Sequence, residues 1–218
     1  MDLSQITVKR LLVQQIRDEI IRGSYLPGSR LRLRDLAAQF KVSTQPIREA
    51  LSELEAEGLV ATEPRKGAVV SQLSVDELLD IYEIRSTLEA MATRVAVTHL
   101  TEETFSILNK LITDMDNHMG EVVELVQLNK EFHLTLYKAS GRTHLYDLVN
   151  TLRNRTAHYL HAYMIDLGGM PSAQGEHRSI IEACRSGDAE LASKLMYDHV
   201  MAAGNGIVHY VKNENSKQ

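Results

Sequence analysis

The chain has 218 residues, 44% hydrophobic and 24% charged, with a formal net charge of −5, a composition that implies a globular core and excludes disordered, collagenous and coiled-coil chains. No stretch approaches the roughly 18 consecutive apolar residues that a membrane span needs, and Met1 to Arg10 is charged at Asp2, Lys9 and Arg10 with no apolar leader core, so a cytoplasmic protein with no membrane partner is expected. The single cysteine, Cys184, excludes an internal disulfide and a cysteine-based zinc site, which leaves His and oxygen as metal donors.

The acidic total conceals a gradient. Residues 1–73 carry 11 Lys and Arg against 9 Asp and Glu, and the remainder 13 against 20. Between Arg30 and Arg48, the basic side chains Arg30, Arg32, Arg34, Lys41 and Arg48 stand against Asp35 alone, a patch able to meet phosphates.

In chain order, Leu11, Leu12, Ile16, Ile20 and Ile21 recur at helical spacing and predict an amphipathic helix from about Val8 to Arg22, stopped by Gly23. Leu26-Pro27-Gly28 reads as a turn, and Leu36, Ala37 and Phe40 mark a short helix from Leu33 to Phe40. A third helix takes Ser43 or Thr44 as N-cap and accepts Pro46 in its first turn, where amides lack intrahelical partners anyway. It ends at Gly58 with Ile47, Leu51 and Leu54 inward. Leu59 to Thr62, Glu63 to Gly67 and Ala68 to Ser71 then read as strand, turn, strand. Three helices, the last two joined tightly, followed by a hairpin predict a winged helix-turn-helix over residues 1–73, a DNA-binding architecture whose recognition helix lies in the major groove.

From Ser74 onward the pattern is helical, so the expected protein is mainly α, with an antiparallel all-α bundle over residues 74–218. Ser74-Val75-Asp76-Glu77 is a capping box that opens a helix to about Thr98. Thr101 caps a second helix to about His118. Further helices are expected from Glu121 to Ala139, Thr143 to Asp166 and Ser172 to Arg185, and one capped by Gly187-Asp188 reaches about Tyr210. The longest break is Leu167-Gly168-Gly169-Met170-Pro171, and the polar tail after Val211 is expected to fray.

On the third bundle helix, Asn129 and His133 fall on the apolar stripe of Leu125, Val126, Leu128, Phe132, Leu136 and Tyr137. Four residues apart, they can serve a common point. His177 shares a face with Ile180, Ile181 and Cys184, and His199 is in register with Leu191 and Leu195. One inward histidine is most often a satisfied core residue. Three on separate helices suit a divalent transition metal, Zn or else Ni, Co or Fe, rather than Mg or Ca.

The text of Leu26 to Leu31, Leu36-Ala37, Val42-Ser43, Pro46 to Leu51 and Leu54 to Val60 resembles the DNA-binding domain of GntR-family transcription regulators. Asn129 to His133, Ala139 to Gly141, Glu176 to Ala183, Ser186 to Asp188 and Met196 to His199 resemble the FCD ligand-binding domain of that family's FadR branch, in which a VanR-like six-helix variant occurs. The resemblance implies His133, His177 and His199 as metal ligands and Asn129 as the fourth, at a position where the family usually has Asp. A neutral carbonyl there implies looser metal binding, or a site that takes an anionic effector as an extra ligand. Arg85 matches an arginine that meets a small carboxylate effector, with a surface ion pair to Glu89 as the equal alternative; Arg153 and Arg155 are further candidates. His158 and His161 are read as surface or interface residues. On the DNA side, Arg34, Thr44, Gln45, Arg48, Lys66 and Gly67 match positions that touch DNA. Thr44 replaces an arginine and cannot read guanine in a bidentate way, which shifts base reading toward Gln45; for Arg48 the alternative is an ion pair with Glu49 or Glu53.

The expectation is therefore a homodimeric regulator, a repressor and not an enzyme. It binds a pseudo-palindromic double-stranded operator under control of a small carboxylate at a metal-containing cavity. The alternatives are a metal-responsive regulator without an organic effector, or a metal-dependent hydrolase. The hydrolase lacks a base, since Glu131 is off the His133 face and Glu176 is read as pointing elsewhere.

Overall fold

Ile16, Ile20, Leu36, Ile47, Leu54 and Leu59 are almost wholly buried in a single cluster, so the amphipathic faces of the N-terminal third close on one another. The computed structural model describes residues 3–167 and 171–216, and the chain separates into two compact units, Met1–Leu73 and Ser74–Gln218. In the first, α1 (Leu3–Ile21), α2 (Leu33–Gln39) and α3 (Thr44–Ala56) precede a hairpin of β1 (Val60–Glu63) and β2 (Gly67–Val70), in antiparallel register from Val60 opposite Val70 to Glu63 opposite Gly67.

Helix α3 packs on α1, and Arg17 grips Glu57 at its end with two bonds, Nε to Oε2 at 3.0 Å and Nη2 to Oε1 at 2.6 Å. The helix stops because Gly58 takes a φ of 75°, which lets the Leu59 amide donate back to the Leu54 carbonyl at 3.0 Å and turns the chain into β1. Ser43 stands at the N-cap position without a side-chain cap bond. The first helix starts earlier than expected, at Leu3, since residues 3–7 contain no helix breaker.

The second unit holds α4 (Val75–Ala96), a single 3-10 turn at Val97–His99, α5 (Glu102–Asn117), α6 (Val122–Lys138), α7 (Thr143–Leu167), α8 (Pro171–Arg185) and α9 (Ala189–Asn215). The Ser74 capping box forms: its hydroxyl accepts from the Glu77 amide at 3.2 Å and Glu77 Oε2 accepts from the Ser74 amide at 2.8 Å. Thr101 Oγ1 accepts from the Thr104 amide at 3.2 Å and Asp188 Oδ1 from the Leu191 amide at 3.0 Å, which caps α5 and α9. Helix α9 runs past the expected end at Tyr210, since residues 212–215 are polar but contain no helix breaker. The expected break at Leu167 to Pro171 falls on Gly168, Gly169 and Met170, which lie outside the described residues.

Helix α4 lies along α9. The inward face of α9 holds Ala192, Met196, His199 and Val200, while Leu191 is exposed. The true register with His199 therefore runs through Ala192 and Met196 rather than through the leucines. Among the described residues, no helix is long and apolar enough to cross a membrane.

Candidate functional site

In the first unit, α2 with the segment before it, one side of α3 and the hairpin line an open groove of about 890 Å3. Arg34, Thr44, Arg48, Lys66 and Gly67 lie on it, as do Arg30 and Arg32, so five cations stand against Asp35 and Glu55. Lys66 is paired with Glu63 at 2.7 Å. Arg48 has neither of the ion pairs weighed for it: Glu53 is held by Lys9 at 2.6 Å, and Glu49 accepts from Gln45 Nε2 at 2.9 Å. Gln45 is not among the groove-lining residues; it is exposed on α3 with its amide engaged by Glu49. The hairpin tip adds Arg65, exposed and at a φ of 69°. Sequence reasoning missed it, although a basic residue between Pro64 and Lys66 was the available signal.

In the second unit, His133 of α6, His177 of α8 and His199 of α9 are buried, with ligand atoms all within 4.8 Å of one another. His133 Nε2 and His199 Nε2 are 3.3 Å apart. Each ring is held through its other nitrogen. His199 Nδ1 meets Glu176 Oε2 at 2.6 Å, His177 Nδ1 meets Gln174 Oε1 at 3.3 Å, and His133 Nδ1 meets the Tyr137 hydroxyl at 2.8 Å. Carboxylate and amide oxygens only accept, so His199 and His177 each carry a proton on Nδ1, and a neutral ring then turns a bare Nε2 lone pair to the cluster. Among the described residues, the buried His177 Nε2 has no hydrogen-bond partner. Crowded bare nitrogens repel one another unless a cation stands between them, and such a donor set fits a borderline divalent metal.

Burial, then Arg153 and His199 nearby, pushes the His133 pKa well below its ordinary value; burial, then His199, does the same to His177. Both rings are thereby kept neutral, as metal ligands must be.

Beside the histidines lies a cavity of about 40 Å3 lined by Asn129, Arg85, Arg153, His133, His199 and Gln174 among others. Arg85 is buried rather than on the surface, yet it does pair with Glu89, Nε to Oε1 at 2.8 Å, and its Nη1 donates to Thr156 Oγ1 at 2.8 Å. Arg153 Nη1 donates to the other oxygen of Glu89 at 2.7 Å, and its buried Nε has no hydrogen-bond partner among the described residues. Burial opposes charge on Glu89, but Arg85 and Arg153, with the hydrogen bond from Tyr137, hold its carboxyl below the usual range. Two buried guanidiniums thus share one carboxylate, which leaves the cavity wall net positive. Arg155 is not among the lining residues.

His158 and His161 are neither surface nor exposed: 6% and 4% of their area is accessible, because α7 is packed on more than one side. Glu176 does not point away but grips His199. Sequence reasoning named Glu89 only as a surface partner of Arg85, without its buried tie to Arg153, and it missed Gln174 and Tyr137 as partners of the histidines. For these last two the one available signal was helical spacing, three residues from His177 and four from His133.

Residues 80–202 match the FCD domain, and residues 9–70 match the bacterial regulatory proteins of the gntR family. An uncharacterized HTH-type transcriptional regulator of Bacillus subtilis (strain 168), YdhC, is 31% identical over 204 residues, 91% of this chain and 88% of its own. The HTH-type transcriptional repressor GlaR of Escherichia coli (strain K12) is 28% identical over 198 residues, 85% of this chain and 89% of its own. The solved structure of E. coli McbR/YncC shares the fold, with a TM-score of 0.83 at 23% identity over 97% of this chain and 100% of the other. The family and these relatives are transcriptional regulators, not enzymes.

Proposed function

The chain belongs to the GntR family, carries an FCD domain and is a DNA-binding transcriptional regulator, and from that premise we propose that it is a repressor released or retained by a small carboxylate bound with a divalent metal in the histidine cavity. One observation carries this reading: three histidine ligand atoms lie within 4.8 Å of one another beside two arginines that share one carboxylate. His133, His177 and His199 would hold the metal, with Asn129 as a neutral fourth donor. When bound, the metal supplies Lewis-acid attraction for a carboxylate oxygen, zinc being the first choice and Ni, Co or Fe compatible.

Arg85 and Arg153 add charge-assisted donors for the same anion. The shared Glu89 and the neutral Asn129 both leave positive charge that favours an acid over an uncharged ligand. The cavity of about 40 Å3 is only a few times the roughly 10–15 Å3 that one water requires, which limits the class to small acids.

On the DNA side, Arg34, Arg48 and Lys66 meet phosphate or base edges while Thr44 and Gln45 sample bases, and two such heads in a homodimer match a pseudo-palindrome. An effector that favours one arrangement of the dimer shifts operator affinity by the difference in its own affinity for the two arrangements.

Thermal-shift measurements with Zn2+ and a panel of small organic acids, each alone and together, test this. A shift that needs both metal and one acid, followed by a changed operator affinity with that pair, is expected. A shift with metal alone and none with any acid would instead indicate a metal-responsive regulator, and no shift at all would contradict both.

A further inference from the structure

Tyr137 is wholly buried on α6, and its hydroxyl touches three groups: His133 Nδ1 at 2.8 Å, the Glu89 carboxylate in a very short contact, and Met196 Sδ at 3.2 Å. A hydroxyl has one proton to give, and an ionised carboxylate takes it in preference to a thioether. The oxygen can then only accept from His133, so the proton between them belongs to Nδ1 and His133 Nε2 is left bare.

This matters because His133 is the one cluster histidine whose tautomer its neighbour does not settle alone. Glu176 and Gln174 present oxygens that only accept, whereas a tyrosine hydroxyl can either donate or accept. Glu89 removes that ambiguity, and Glu89 is itself pinned by Arg85 on one oxygen and Arg153 on the other.

We propose that Tyr137 and Glu89 are positioning residues that fix His133 in the tautomer presenting Nε2 to a metal, and that they tie this ligand to the arginine pair facing the anion. The inference rests on the metal-and-carboxylate reading above and adds to it the part of the chain that makes the cluster competent to bind. Hydrogen-bond partners of this kind typically alter metal affinity about 10–100-fold.

The test uses the full chain, metal-free and 15N-labelled, as wild type and Tyr137→Phe. Long-range 1H–15N spectra report which ring nitrogen of His133 is protonated, and Co2+ titration followed by visible absorption reports affinity and ligand field. The wild type should protonate Nδ1. Tyr137→Phe, still folded with an unchanged circular dichroism spectrum, should populate the other tautomer and bind Co2+ at least about tenfold more weakly. A wild-type His133 protonated on Nε2 overturns the proposal whatever the variant does. A variant that matches wild type in tautomer, affinity and spectrum overturns the positioning role while leaving the metal site standing. A wild type that takes up no Co2+ removes the metal reading itself, and the proposal with it.

Discussion

Glu89 lies with no exposure between Arg85 and Arg153 and accepts from Tyr137 as well, so truncating it strands two buried guanidiniums. Breaking a buried ion pair from one side costs about 3–5 kcal/mol. Glu89→Ala should lose stability of that order in urea unfolding, and a loss within the range of ordinary surface substitutions, about 0.5 kcal/mol, would mean that the cluster is not ionised. His158 makes a second prediction. Among the described residues neither of its ring nitrogens has a hydrogen-bond partner, and burial alone lowers its pKa from 6.5 to about 4. The unfolded chain then binds the proton first as pH falls, so the stability His158 contributes is complete above about pH 6.5, declines through acid pH and is gone below about pH 4. The full effect is on the order of 3 kcal/mol. Unfolding curves of metal-free protein should therefore weaken more steeply between those pH values in wild type than in His158→Phe; equal slopes would refute it. At this scale the sequence showed the histidines and Arg85 by type and spacing. It placed Glu89 beside Arg85 only at the surface, because a glutamate reads as exposed until Arg153, 64 residues away, is known to lie beside it.

Helices α4 and α9 approach closely where Gly204 meets Tyr82; a Cβ there would lie 2.5 Å from Tyr82 Cγ. Because Tyr82 also lines the cavity, Gly204→Val should both destabilise the bundle by about 1–3 kcal/mol and weaken Co2+ uptake, readable by melting and titration; an unchanged melting curve would show that the helices part without strain. Helix α3 carries its own prediction. Arg48 lines the basic groove and, among the described residues, forms no ion pair, so Arg48→Ala should weaken operator binding by about 1–3 kcal/mol in fluorescence anisotropy. Unaltered binding would remove Arg48 from the interface. Elements were the most legible level, since the Ser74 capping box, Gly58 and the apolar stripe of α6 are local signals. The errors were of two kinds: helix ends without a breaker, as in α9, and the choice between near-equivalent faces, where large leucines masked the Ala192–Met196 register.

Across the whole molecule, charge is divided between the two units. Residues 1–73 hold 11 basic against 9 acidic side chains, and the rest 13 against 20. An acidic total therefore does not oppose DNA binding, because the basic excess is concentrated on the groove of the first unit. The architecture was legible from the run of three helices, hairpin and helical remainder. The cavity was not, since its walls are side chains brought together from α4, α5, α6, α7, α8 and α9. On the proposed reading, regulation at this scale depends on the buried cluster taking a cation, and that is measured by dialysing the metal-stripped chain against Zn2+ with elemental analysis of the bound ion. The account predicts one zinc per chain, abolished by His177→Ala and held more tightly by Asn129→Asp. Uptake that is absent, or that persists undiminished without His177, contradicts it.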